Sequence, residues 1–184
     1  TRKRTLFPYT TLFRSIMTDT FIRLIRHLFQ PRWRLRLAFT RRTLARIAEA
    51  VSRSETGHGG EIRFVAEGAL DFLPLVRGIT ARERAVRVFS DLRVWDTEAN
   101  NGVLIYLLLA DRDVEIVADR GFNTRVSGRE WEAICLEMEA CFARGDYEAG
   151  ALAGIARVDE LLRRLYPATG HPANELSDQP ALLE

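Results

Sequence analysis

The chain of 184 residues is almost without lysine: Lys3 is the only one, and every other basic side chain is arginine. It holds two cysteines and three histidines. His27, His58 and His171 are scattered and share no ligand spacing with Cys135 or Cys141, which speaks against a zinc cluster or a redox pair. The two cysteines fall in one expected helix, about 9 Å apart along its axis and on different sides, beyond disulfide reach. They read as free thiols in a reducing compartment. Long apolar runs are missing as well. The longest uncharged stretch, Ala99 to Ala110, is far short of the roughly 20 residues that a membrane-spanning helix needs. There is no G-x-S-x-G elbow, no Walker A sequence and no H-E-x-x-H. The glycines of GHGG, Gly57 to Gly60, precede an expected strand instead of following one, unlike a dinucleotide loop. Three dispersed histidines do not suggest a Ser-His-Asp set.

The lone lysine sits in a leader with different residue usage. TLFPYTTLFRS, Thr5 to Ser15, resembles the translation of a sequencing-adapter oligonucleotide. Its apolar residues are broken by Pro8 and Arg14, so no secretory core forms. Residues 1–16 are expected to be artefactual, with the reading frame beginning at Met17.

The formal net charge of +2 averages unlike segments. From Thr20 to Ala48 there are eight arginines and no acid, whereas Glu49 to Glu184 holds 15 arginines against 24 acids. A basic arm, residues 17–39, therefore precedes an acidic body, residues 40–166, and a Pro- and Gly-containing extended tail, residues 167–184. FIRLIRHLF, from Phe21, reads as a short amphipathic helix ended by Pro31. PRWRLRLAF alternates arginine with Trp33, Leu35 and Leu37, a strand-like period or an extended two-faced arm. Such an arm can lie on an anionic membrane surface through residues 21–37. Equally, it can pack its apolar face on the body. Nucleic acid is not an expected partner, because the acidic body repels phosphates.

Thr40 can cap a helix running to about Arg53. EIRFVAE, Glu61 to Glu67, alternates as a first strand. A short apolar turn or helix near Leu70 to Val76 is followed by a capping box, Thr80 and Glu83, that opens a helix to about Val94. VLIYLLLA, Val103 to Ala110, is a central strand buried on both faces, and DVEIVAD returns beside it as a hairpin. Ser127 with Glu130 opens the next helix, and a last one spans about Tyr147 to Tyr166. Gly150 and Gly154 within it suggest close helix packing. The expected fold class is α/β: a mixed sheet with a parallel crossover and an antiparallel hairpin, helices on both faces.

WDTEANNG, Trp95 to Gly102, concentrates hard oxygen ligands before the central strand. The hairpin brings Asp119 back to the same sheet edge. Asp96, Glu98, Asn100, Asn101 and Asp119 are therefore the candidate ligands of Ca2+ or Mg2+. Turn chemistry alone also accounts for Asn101-Gly102. The opposite edge carries a looser acidic group of Glu67, Asp71, Asp111 and Asp113.

NGVLIYLLLADRDVEIVADRG, Asn101 to Gly121, resembles the core motif of the TPM domain family, with EIRF and FSDLRVWD agreeing upstream. The resemblance implies an α/β/α sandwich, divalent-cation binding in some members and a weak acid phosphatase activity claimed for some. By position, Asn101, Gly102, Asp111, Arg112 and Gly121 match the pattern. Relatives often have Asp where this chain has Asn100, which removes one charge from an ion site. Relatives usually carry a signal peptide and a membrane anchor, which are not evident here. The expectation is a cytoplasmic accessory module peripheral to the inner membrane, held by its arm, a membrane complex or a membrane-embedded relative. The alternative is a metal-assisted acid phosphatase.

Overall fold

A computed structural model describes residues 21–168 and 174–184. The expected leader, the first residues of the arm and a stretch of the tail, 169–173, lie outside the described residues.

The centre of the fold is a strand with no polar face. β1 (Glu61–Glu67) and β2 (Gly102–Leu108) pair in parallel, with Phe64 opposite Ile105, and all seven residues of β2 are buried. β3 (Asp113–Ala118) returns antiparallel to β2, with Ile105 opposite Ile116. Because strand side chains alternate, β2 serves two cores. Val103, Ile105 and Leu107 face one, and Leu104, Tyr106 and Leu108 the other. Burying one Leu or Ile is worth about 1.5–3 kcal/mol, against about 0–1 kcal/mol for an exposed ion pair, so this strand outweighs the many surface Arg–carboxylate pairs.

The arm begins with α1, helical over residues 21–28, and α2 (Arg32–Ala38). α3 (Arg41–Glu55) starts where the Thr40 hydroxyl accepts the Thr43 N–H at 3.2 Å. α4 (Phe72–Val76) and α5 (Ala81–Asp91) form the β1–β2 crossover. α6 (Gly128–Ala143) and α7 (Tyr147–Leu165) follow the hairpin. Both expected capping boxes form, Thr80 with Glu83 and Ser127 with Glu130. α3, α6 and α7 cover one face of the sheet and α5 the other, giving the three-layer α/β arrangement. α7 lies close on α6, with Gly150 against Phe142 and Gly154 against Met138.

Three local expectations are corrected. PRWRLRLAF is neither strand nor extended: it forms α2, with Pro31 at its N-cap and Leu35 its one buried residue. Its alternation pairs with no strand of the sheet, and as a two-turn helix it turns Leu35 inward. The crossover helix stops at Asp91, because Arg93 turns into the left-handed region at φ 53°. The tail is not simply extended. β4 (Ala181–Leu183) pairs in parallel with β1, Val65 opposite Ala181, completing the order β3-β2-β1-β4. A three-residue strand after Pro180 carries no readable period.

Candidate functional site

Where β2 begins and β3 ends, two buried oxygens have no hydrogen-bond partner among the described residues: Asn101 Oδ1 and Asp119 Oδ2. The sheet register brings them to one corner, since the Asp119 N–H donates to the Gly102 carbonyl at 2.9 Å. Asn101 is held on every other side. Its N–H donates to Thr97 Oγ1 at 3.1 Å, and its carbonyl accepts the Glu61 N–H at 3.4 Å. Its side-chain Nδ2 donates to the Gly59 carbonyl. That last bond sets the amide orientation, because the flipped amide would place oxygen against oxygen. Asp119 Oδ1 accepts the Arg120 N–H at 2.7 Å, starting the 3-10 turn Arg120–Phe122, and leaves Oδ2 free.

Most buried polar atoms find a partner, so two orphans at one corner single it out as the candidate site. Its walls leave no slack. A Cβ on Gly102 would strike the Val94 carbonyl, and one on Gly121 the Asn100 carbonyl and the Tyr166 hydroxyl. Asn100 itself is left-handed at φ 52°, with Oδ1 accepting Arg120 Nε at 2.6 Å.

The structure gathers the candidate ligands unevenly. Asn101 and Asp119 are buried at the corner, and Asn100 adjoins it. The Asp96 and Glu98 side chains are exposed. Asp96 lines a separate groove with Arg63, Arg93 and Glu175, while the Glu98 N–H is taken by Glu175 Oε2 at 2.9 Å. Among the described residues, no group of three or more His, Cys, Asp or Glu side chains is placed to hold a metal ion. Gly59, Tyr166 and Glu175 were not visible as neighbours of this edge. They come from a glycine loop, a helix end and the tail, segments whose approach only the tertiary fold sets.

The opposite edge is not a pool of free acid. Glu67 is buried between Arg84 Nε at 2.8 Å and the Tyr106 hydroxyl at 2.7 Å. Burial and the Glu67 charge raise the Tyr106 phenol, so it stays the donor. Asp111 is occupied by the arm, with Arg23 Nε at 2.9 Å and His27 Nε2 at 3.0 Å. Asp113 is pushed up to about 6 by burial, with Glu115, Glu139 and Asp111 adding to it.

A serine, a histidine and an aspartate do meet, where the sequence showed no such set. Ser54 Oγ lies 2.8 Å from His58 Nε2 and 3.0 Å from Asp159 Oδ1. The polarity is wrong for catalysis. His58 Nδ1 accepts the Gly60 N–H at 3.1 Å, so the neutral ring carries its proton on Nε2 and donates toward Ser54. Burial lowers the His58 pKa, which favours that neutral form. Ser54 then donates to Asp159. A histidine that gives a proton to serine cannot serve as its base. Cys135 is equally unsuited, since burial pushes its thiol up to about 12; neither cysteine is bridged.

The TPM domain family model matches residues 37–161. The chain belongs to the TPM domain family. Among solved structures, the BA42 protein of the psychrophilic bacterium Bizionia argentinensis matches this TPM domain at 27% identity and a TM-score of 0.68, over 78% of this chain and 94% of that one. The N-terminal domain of a P. gingivalis protein matches at 17% identity and a TM-score of 0.57, over 72% and 82%, and shows the fold alone. No curated protein sequence matches. Residues 21–36, most of the described arm, precede the part that matches the TPM model. Among the described residues no helix is long and apolar enough to cross a membrane.

Proposed function

We propose that this TPM domain is a non-catalytic accessory module in which a divalent cation steadies the corner between β2 and β3. The observation that carries the reading is the pair of buried, unpartnered oxygens, Asn101 Oδ1 and Asp119 Oδ2. One carboxylate and one amide are hard ligands of the right kind, and they supply a single charge. Binding must open the packed corner enough to admit water for the rest of the shell, and Mg2+, which keeps several of its waters, suits this better than Ca2+, whose sites take six to eight oxygens. The role is structural, since the nearby groups are turn and cap residues and the Ser54–His58 pair runs its proton the other way. Asp96 and Glu98 fit this reading as outer, solvent-side charges.

Thermal melting of the full chain in EDTA, followed by Mg2+ or Ca2+ titration, tests it. A ligand that binds the native state alone raises the melting temperature saturably. The expected rise is lost in Asp119→Asn, which keeps the shape and removes the charge. No rise with either ion overturns the cation. Mg2+-dependent phosphate release that vanishes in Asp119→Asn would replace the accessory role with phosphoester hydrolysis.

A further inference from the structure

The first helix of the arm is folded onto the body the unusual way round. α1 turns His27, 4% exposed, toward the protein, where Leu70 donates its N–H to Nδ1 at 3.0 Å. Arg23 joins it, bonding Asp111 and the Ile79 carbonyl, both at 2.9 Å. His27 and Arg23 thus face the domain, while Arg26 and most of the apolar positions face out. Phe21, Leu28 and Phe29 are 61%, 57% and 77% exposed, and on α2 Trp33 and Leu37 are 60% and 68% exposed. Isolated exposed apolar residues need no account, but a continuous helical face of them does.

Beside this ridge lies a cavity of about 870 Å³ between arm and body. Trp33 and Leu37 belong to both ridge and cavity. Its polar wall is Arg26, Gln30, Arg34, Arg112 and Tyr147, and among the described residues no carboxylate lines it. Of the two acids that flank Arg112 in sequence, Asp111 is held by Arg23 and His27, and neither it nor Asp113 lines the cavity. Arg112 is fixed at the tip of the β2–β3 hairpin by its left-handed backbone, φ 57°. Three guanidinium groups from three parts of the chain therefore border one space that no carboxylate of the described residues lines. Guanidinium forks match phosphate oxygens, and an apolar rim beside them matches the acyl and glycerol layer beneath.

We propose that this cavity takes the phosphate of an anionic phospholipid, with the exposed ridge of α1 and α2 entering the headgroup layer. The occupant is argued from charge and shape together. A soluble anion explains the arginines and leaves Phe21, Leu28 and Phe29 uncovered, whereas an apolar protein surface leaves the arginines unanswered. The arm holds five arginines and, from Thr20 on, no acid; Arg23 and Arg36 pair with Asp111 and Glu184, while Arg26, Arg32 and Arg34 form no ion pair among the described residues and leave the arm a local positive field. The seat is independent of the cation corner. That corner is at the start of β2, and Leu109 to Arg112 lie beyond its other end.

The test is sedimentation of the full chain with vesicles of phosphatidylcholine alone or with a third phosphatidylglycerol. Binding is expected only to the anionic vesicles, to weaken with salt, and to fall at least tenfold in the triple variant Arg26→Gln, Arg34→Gln, Arg112→Gln. All three side chains are exposed, so an unchanged melting temperature will show that the variant folds. A blue shift of Trp33 emission on vesicle addition, absent in Trp33→Phe, is the independent readout. Equal binding to both vesicle types, or full binding by the folded triple variant, overturns the phosphate seat. A melting rise with inorganic phosphate or glycerol phosphate and no vesicle binding overturns the lipid and leaves a soluble phosphate site. Loss of binding in EDTA would tie the seat to the cation corner and overturn its independence.

Discussion

His27 Nε2 stands 3.0 Å from Asp111 Oδ1, joining the first described helix to the tip of the β2–β3 hairpin. The N–H points off the oxygen, so the contact is electrostatic more than a well-formed hydrogen bond. The other ring nitrogen is committed as an acceptor to Leu70, which makes His27 the pin of the arm.

Replacing that pin should loosen the arm without unfolding the sheet. His27→Ala leaves the Leu70 N–H unsatisfied and Asp111 half paired, a loss of about 1–3 kcal/mol. The melting temperature is expected to fall by several degrees, and limited proteolysis should cut first between residues 21 and 40. Unchanged protease resistance of the arm would show that other contacts hold it. Burial alone would push the Asp111 carboxyl up, but His27 and Arg23 draw it below the usual carboxylate range. Its folded value is thus depressed. The arm's share of stability is full above about pH 4 and is lost as pH falls through the folded value.

Glu55 should give the opposite slope. Burial pushes its carboxyl up to about 8, with Glu61 and Asp178 adding to it and the Ile62 N–H opposing. The native state therefore keeps a proton that the unfolded chain releases near pH 4.5, and stability declines as pH rises from about 4.5 to 8. Glu55→Gln keeps an oxygen for the Ile62 N–H, at 3.0 Å in the parent, and removes the titration. Melting temperatures of parent and variant should agree at low pH and diverge in the variant's favour by pH 8. Parallel curves would mean that Glu55 ionises normally in the folded chain.

Gly121→Ala tests the packing of the candidate site. The added methyl meets the Asn100 carbonyl and the Tyr166 hydroxyl, and only the latter can swing away. A penalty of about 1–3 kcal/mol is expected, read as a lower denaturation midpoint at unchanged slope. If the corner also holds a cation, the variant should lose part of the Mg2+-dependent melting rise.

Removing residues 174–184 should expose the β1 edge. The tail is tied to that strand by the Glu61 carboxylate, which accepts the Glu175 and Leu176 N–H groups at 3.1 Å each, and by Arg63, which donates to the Gln179 carbonyl at 2.7 Å. Without it, a buried carboxylate loses two donors and an open strand edge can pair with another chain. Light scattering should show concentration-dependent association of the truncated chain at temperatures where the parent is monodisperse. A truncated chain with the parent's melting temperature and no association would show that β4 merely rests on the sheet.

What the sequence by itself determined is what short-range periodicity and end chemistry carry. The alternation of EIRFVAE, the unbroken VLIYLLL and the alternating DVEIVA specify three strands and their faces. Thr80 with Glu83 and Ser127 with Glu130 specify two helix starts, because both halves of each box lie within one turn. From those elements the parallel crossover and the hairpin follow, and with them the meeting of Asn101 and Asp119 at one corner. Tertiary structure decided the rest. Whether Arg32 to Ala38 is helix or strand was decided by packing, since the helix buries Leu35 and pairs with no strand of the sheet. Ala181 to Leu183 becomes a strand only because β1 offers a free edge. Which face of α1 turns inward was settled by Asp111 and Leu70, 84 and 43 residues from His27 in sequence. A helix's own pattern records its two faces, and the partner it meets chooses between them.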